Sequence, residues 1–193
     1  MLLSDRILSA NTGILDQMLT YEGQFVETAI SIFAFATVKA PDITAKRWLI
    51  GVQDALANIQ VPYFEDIFAR HGIAVAAQVP SAVTAFDEEM LNIARSGAFV
   101  DVLTAMFSAE WMYWTWCRAT DNQPIADPDL RAWVDMHTAP DFADQALWLK
   151  NAIDAYGDNK EADRLCAVFD HVMQLEIDFH TAAYDGTTQH KGS

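Results

Sequence analysis

Basic residues are scarce in this chain: 12 lysines and arginines stand against 27 aspartates and glutamates, a formal net charge of -15 at pH 7. A field of that sign repels a phosphate backbone, so nucleic acid is excluded as a partner, and an anionic membrane surface is disfavoured for the same reason. Cysteine is nearly missing. Cys117 and Cys166 stand far apart and outside any CxxC spacing, which argues against a disulfide framework and for a reducing, cytoplasmic setting. Long apolar runs are also lacking. The most apolar stretch, Ala29 to Val38, is too short to span a bilayer and contains Ser31 and Thr37. The opening Met1-Leu2-Leu3-Ser4-Asp5-Arg6 meets charge before the apolar region of a secretory signal could form. Glycine-rich phosphate loops and a nucleophile elbow are absent. So is sustained period-two alternation, which excludes most strand architectures.

What is present is a core. The 193 residues are 52% hydrophobic and 11% aromatic, which suits one folded domain, expected over residues 1–185 with a frayed tail at 186–193. Six prolines punctuate stretches of helical periodicity. The first long helix is expected from Ile14 to about Lys39, stopped by Ala40-Pro41. Asp42 is the expected N-cap of a second, running from Ile43 towards His71, with Gly72 as a left-handed C-terminal cap and Pro62 kinking the span. Pro80-Ser81 opens the next, with Ser81 as its cap, and it lasts to about Arg95. Ser96-Gly97 separates it from a strongly apolar helix over Ala98 to about Ala119. After a loop at Asp121 to Pro124, helices are expected over Pro128 to Met136, Asp141 to Tyr156, and about Lys160 to Tyr184. The fold class is all-α.

Two glutamates break the apolar pattern. The last helix carries a stripe of Leu165, Val168, Phe169, Val172, Met173 and Phe179, and Glu176 falls within it. A carboxylate there must find partners or bind its proton more tightly, which is how a general acid or base is prepared near neutral pH. A buried ion pair or a helix cap is the structural alternative. Glu110 is the only charge between Asp101 and Arg118, and Tyr113, Trp114 and Cys117 share its helix face. Aromatic rings beside a carboxylate can hold a flat ligand, or they can simply fill core. Gln24, Glu27, Thr28 and Ser31 form a polar stripe, read as a solvated face with pocket lining as the alternative. His180 lies four residues after Glu176, a spacing that can serve a metal. No matching carboxylate–histidine pair stands on another helix, so neither a metal nor a cofactor is expected.

The order and spacing of several segments resemble the TenA/THI-4 (thiaminase II) family. These are Gly13-Ile14-Leu15 with Tyr21-Glu22-Gly23-Gln24; Pro80 to Met90; Ser108-Ala109-Glu110-Trp111-Met112-Tyr113; Trp133 to His137 followed by Phe142; and Leu175-Glu176-Ile177-Asp178-Phe179 with Ala183-Tyr184. The resemblance implies a haem oxygenase-like multi-helix bundle, a homo-oligomer (dimer or tetramer), and hydrolysis of aminopyrimidines in thiamin salvage. It places Glu176 at the family's catalytic glutamate and Tyr113 at a tyrosine four residues after its cysteine. The cysteine position itself is Ala109. The pocket aspartate falls at Phe25, a following tyrosine at Thr28, and two substrate-facing tyrosines at Phe86 and His137. Members without the cysteine form a glutamate-type subgroup, in which Glu110 is the candidate to replace the thiol.

The leading expectation is a hydrolase of an aminopyrimidine or related heteroaromatic amine. Trp114, Tyr113, Phe25 and Phe86 would hold the ring, Glu176 would act as general acid, and Glu110 would activate water or orient the ring. A non-catalytic binding or regulatory protein is the alternative, and a di-metal oxidase on the same fold a third. The direction of Glu110 decides among mechanisms, because adjacent helical positions differ by about 100°.

Overall fold

Residues 12–73 and 79–189 are described by a computed structural model. Helix α1, Thr12–Lys39, buries Leu15, Leu19, Val26, Ala29, Phe33 and Ala36, at helical spacings that hold one face against the core. Its last residue does more than end it. Lys39 Nζ donates to the carbonyls of Ala94, Arg95 and Gly97 at 2.6, 3.1 and 2.5 Å, closing the C-terminal end of another helix, where carbonyls lack partners and the helix dipole favours a cation.

Asp42 caps α2, Ile43–Ala55, its carboxylate accepting the Ala45 N–H at 2.9 Å. The expected break at Pro62 takes the form of a wide turn. Residues Leu56–Gln60 are π-helical, and α3 follows over Val61–His71. Proline has no N–H to return to the preceding turn, and widening the helix there avoids a clash with its ring. Gly72 ends α3 at φ 64°, where a side chain would be strained.

Helix α4, Ser81–Ser96, corrects one expectation. The capping position is Pro80, not Ser81. Pro80 is the last residue with extended backbone, and Ser81 is already inside the helix. Helix α5, Phe99–Thr120, starts with Asp101 accepting the Ala98 N–H at 2.8 Å. It is the central element, packed against α7, α8, α6, α4 and α1. Asp127 caps α6, Pro128–Thr138, by accepting the N–H groups of Asp129 and Leu130. Helix α7 spans Pro140–Tyr156, and a 3-10 turn at Asn159–Glu161 leads into α8, Ala162–Gln189. The expected end at Tyr184 is therefore corrected to Gln189, and residues 190–193 of the expected tail lie outside the described residues, as do residues 1–11 of the expected domain. Among the described residues there is no strand, and no helix is long and apolar enough to cross a membrane.

Candidate active site

Three helices each place one glutamate in an apolar stripe, and the three stripes meet. On α5 the stripe runs through Leu103, Met106, Glu110, Tyr113 and Cys117; on α8 it runs through Val172, Glu176, Phe179 and Ala183. The third is on α1, where Glu22 stands between Leu19 and Val26 in that helix's core face. Glu22 lies in one of the motifs named above, where pattern alone assigns it no role. Yet the signal that exposes Glu176, a carboxylate at a core spacing, is equally present for it.

Glu176 is 1% exposed, and neither of its carboxylate oxygens accepts a hydrogen bond. Burial raises its proton affinity well above the ordinary range, and the charges of Glu22 and Glu110 add to the effect. Glu110 is 9% exposed; its Oε1 accepts from Gln145 Nε2 at 2.6 Å while Oε2 has no partner. Burial pushes it up to about 7, opposed by the Gln145 donor and by His137 and assisted by Glu22. Glu22 is the satisfied member. Its Oε2 accepts the Trp133 indole N–H at 2.6 Å, and Oε1 lies 3.3 Å from His137 Nε2.

Two histidines complete the polar set, each tied to the carbonyl four residues earlier: His137 Nδ1 to Trp133 O and His180 Nδ1 to Glu176 O, both at 2.8 Å. A carbonyl only accepts, so each Nδ1 carries a hydrogen and each Nε2 is left to the site. His137 turns its Nε2 to Glu22. His180 Nε2 is buried without a hydrogen-bond partner, and burial lowers the ring's proton affinity. Tyr113 bridges the two rings, stacked on His137 at 4.9 Å and tilted to His180 at 5.5 Å. Burial, then Glu22 and Glu176, keep its phenol protonated.

The remaining expected residues divide. Phe86 packs on Phe25 at 4.7 Å and on Phe179 at 5.0 Å, and Phe179 adjoins His180, so these rings form an apolar wall leading to the cluster. Ala109 is buried one turn before Tyr113. Thr28 is half-buried on α1. Trp114 does not belong to this ring set: it lies edge-on to Trp111 with the Arg118 guanidinium 5.0 Å over its ring. Trp116 and Trp133 take the place expected for it, beside Tyr113, with Trp116 also edge-on to His180. Phe25, expected at the position of a pocket aspartate, carries no charge, and the carboxylate of α1 in the cluster is Glu22. Gln24 and Glu27, read as a solvated face with pocket lining as the alternative, border a separate pocket of about 600 Å³ between α1, α3 and α4, with Glu27 exposed. Among the described residues no group of three or more His, Cys, Asp or Glu is arranged to hold a metal ion.

A family model described as TENA/THI-4/PQQC matches residues 23–186, which takes in α1 from Gly23, Glu110 and Glu176. The chain belongs to this family. An aminopyrimidine aminohydrolase from Halalkalibacterium halodurans is 27% identical over 163 residues, covering 80% of this chain and 73% of that protein. A TenA homologue from Pyrococcus furiosus superposes with a TM-score of 0.82 at 19% identity, covering 94% of both chains. A TenA homologue from P. horikoshii gives 0.87 at 16% identity over 95% of this chain and 89% of that one. These structures establish the all-α, haem oxygenase-like bundle. Of the chain's two cysteines, Cys117 is buried and Cys166 exposed.

Proposed function

We propose that this protein hydrolyses an aminopyrimidine or a related heteroaromatic amine, in the manner of thiamin salvage, with carboxylates in place of the family's cysteine. The observation that carries the reading is the unequal satisfaction of three glutamates in one apolar site. Glu22 accepts the Trp133 indole N–H and faces His137, Glu110 accepts one hydrogen bond, and Glu176 accepts none, with only His180 Nδ1 beside it at 3.4 Å. Like charges this close push proton affinities apart, which separates the acid from the base. The flat substrate lies among Tyr113, Phe25, Phe86 and His137, with Ala109 and Thr28 as small wall residues. Glu110 takes a proton from water, whose oxygen attacks the carbon bearing the amine. The C–N bond breaks, and Glu176 gives its proton to the departing amine. One water is consumed, one amine leaves, and the two carboxyls exchange roles until solvent resets them.

The similarity to an aminopyrimidine aminohydrolase supports this reading. Ammonia release from aminopyrimidines tests it. Glu176→Gln should cut kcat by about 10²–10⁴-fold. The enzyme reading fails if no aminopyrimidine is hydrolysed while Glu176→Gln leaves ligand affinity unchanged. A binding protein is the second reading, favoured by Ala109, which offers no nucleophile. A ligand that raises the melting temperature but is recovered unaltered would establish it.

A further inference from the structure

The carboxylates are buried, so something must connect them to solvent. Three concavities among the described residues are candidates. The 600 Å³ pocket between α1, α3 and α4 touches Gly23, next to Glu22, but Glu22 itself does not line it. A Cβ on Gly23 would come 2.5 Å from Phe68 and 2.9 Å from Phe64, so those rings crowd the α1 backbone there, and no side chain lining this pocket is hydrogen-bonded to the cluster. A smaller groove of about 270 Å³ by Cys166 has no lining side chain hydrogen-bonded to the cluster.

The third differs. A groove of about 400 Å³ runs between α2 and α7, lined by Arg47, Trp48 and Gly51 on one side and Asp141, Asp144 and Gln145 on the other. Its Trp48 wall is held by stacking on Trp148 at 3.7 Å and 6°. Gln145 lines this groove and also donates to Glu110 at 2.6 Å. One side chain thus touches both the solvent-facing groove and the buried site. Gly51 leaves the groove open, since a Cβ there would meet nothing within 4 Å.

We propose that the α2–α7 groove is the approach to the buried carboxylates and that Gln145, at its inner end, is the positioning residue that holds Glu110 in its working orientation. This rests on Glu110 being part of the active site. With Oε1 held by Gln145, Oε2 is the oxygen left free to act. The groups facing Glu110 are Glu22 from α1, His137 from α6, Glu176 from α8 and Gln145 from α7. Of these, Gln145 is the uncharged donor, so its removal changes orientation and hydrogen bonding without removing a charge. Asp141 and Asp144 line the mouth opposite Arg47, so it offers both acceptors and a donor to a polar ring.

The test reads Glu110 directly, by carbon-13 NMR of glutamate side-chain carboxyls, with the resonance assigned through Glu110→Gln. In the full-length protein, Gln145→Met, similar in length but without a donor, should move the Glu110 titration midpoint upward. A soluble neutral nitroxide should broaden the Glu110 signal. Gly51→Trp, which fills open space, should protect it from broadening while leaving the midpoint in place. An unmoved midpoint in Gln145→Met overturns the positioning role. A signal that the nitroxide does not broaden, or that Gly51→Trp does not protect, overturns the approach. On the enzyme, Gln145→Met should lower kcat by up to about 10²-fold with KM little changed, as expected for misplacement of a reacting group. If no aminopyrimidine is hydrolysed and Glu176→Gln leaves ligand affinity unchanged, the proposed function fails, and the NMR measurements still decide the inference.

Discussion

Glu22 Oε2 accepts the indole N–H of Trp133 at 2.6 Å, a side-chain pair separated by 111 positions in sequence. That bond orients the carboxylate inside the bundle, with its other oxygen 3.3 Å from His137 Nε2. The carboxylate so held acts on the two glutamates that the proposed reaction uses. Glu22 raises the proton affinity of both Glu110 and Glu176.

Removing that charge should therefore move the chemistry. Glu22→Gln keeps an acceptor for Trp133 but no negative charge, so Glu110 and Glu176 should both lose protons at lower pH. The limb of the kcat/KM profile that reports deprotonation of the base should shift to lower pH. A profile superposable on that of the native protein would show that Glu22 does not act electrostatically on the pair.

Stability should depend on pH through Glu110. Its folded pKa, about 7, lies above the ordinary value of 4.5. The folded state holds that proton more tightly than the unfolded chain, so the group costs nothing below about 4.5 and destabilises progressively as pH rises towards 7. Glu110→Gln cannot titrate. The difference in melting temperature between Glu110→Gln and the native protein should grow in the variant's favour across that window, and a constant difference would contradict that sign.

His71 makes a second, separate pH dependence. Its Nδ1 lies 2.6 Å from Asp16 and its Nε2 2.7 Å from Asp129, joining α1, α3 and α6. Hydrogen bonds to Asp129 and Asp16 raise its proton affinity, and His71 lowers that of Asp129, which also takes the Arg70 guanidinium at 2.8 Å. The histidine's contribution is complete below its ordinary value of 6.5 and is lost as pH rises through the raised folded value. That of Asp129 is present above 3.8 and lost as pH falls. His71→Asn should therefore lower the melting temperature most near pH 5–6 and least in alkaline solution, as thermal melts across that range would record.

Gly23→Ala should reverse the usual helix rule. Alanine normally stabilises a helix interior by up to about 1 kcal/mol relative to glycine. Here the added methyl would meet Phe68 at 2.5 Å and the buried Phe64 at 2.9 Å. Overpacking of this kind costs about 1–3 kcal/mol. Urea denaturation should show a lower midpoint for the variant; a higher one would mean that both rings can yield.

Much of this protein can be read from local pattern. Helix positions follow from proline placement and periodicity of three to four, and the cap at Asp42 and the left-handed Gly72 depend on residues within a few positions. Glu110 and Glu176 stand out because a charge in an apolar stripe is visible within one helix. Glu22 belongs to the same class, hidden only because its helix carries other polar residues nearby. What one helix cannot reveal is which stripes face each other. Packing of α1, α5, α6 and α8 decided that three carboxylates share one site, that Trp116 and Trp133 rather than Trp114 stand beside it, and that Gln145 reaches Glu110 from α7. The reason is range: periodicity selects the face a residue occupies, while burial, charge coupling and the partner of each oxygen depend on elements distant in sequence, which only the tertiary structure brings together.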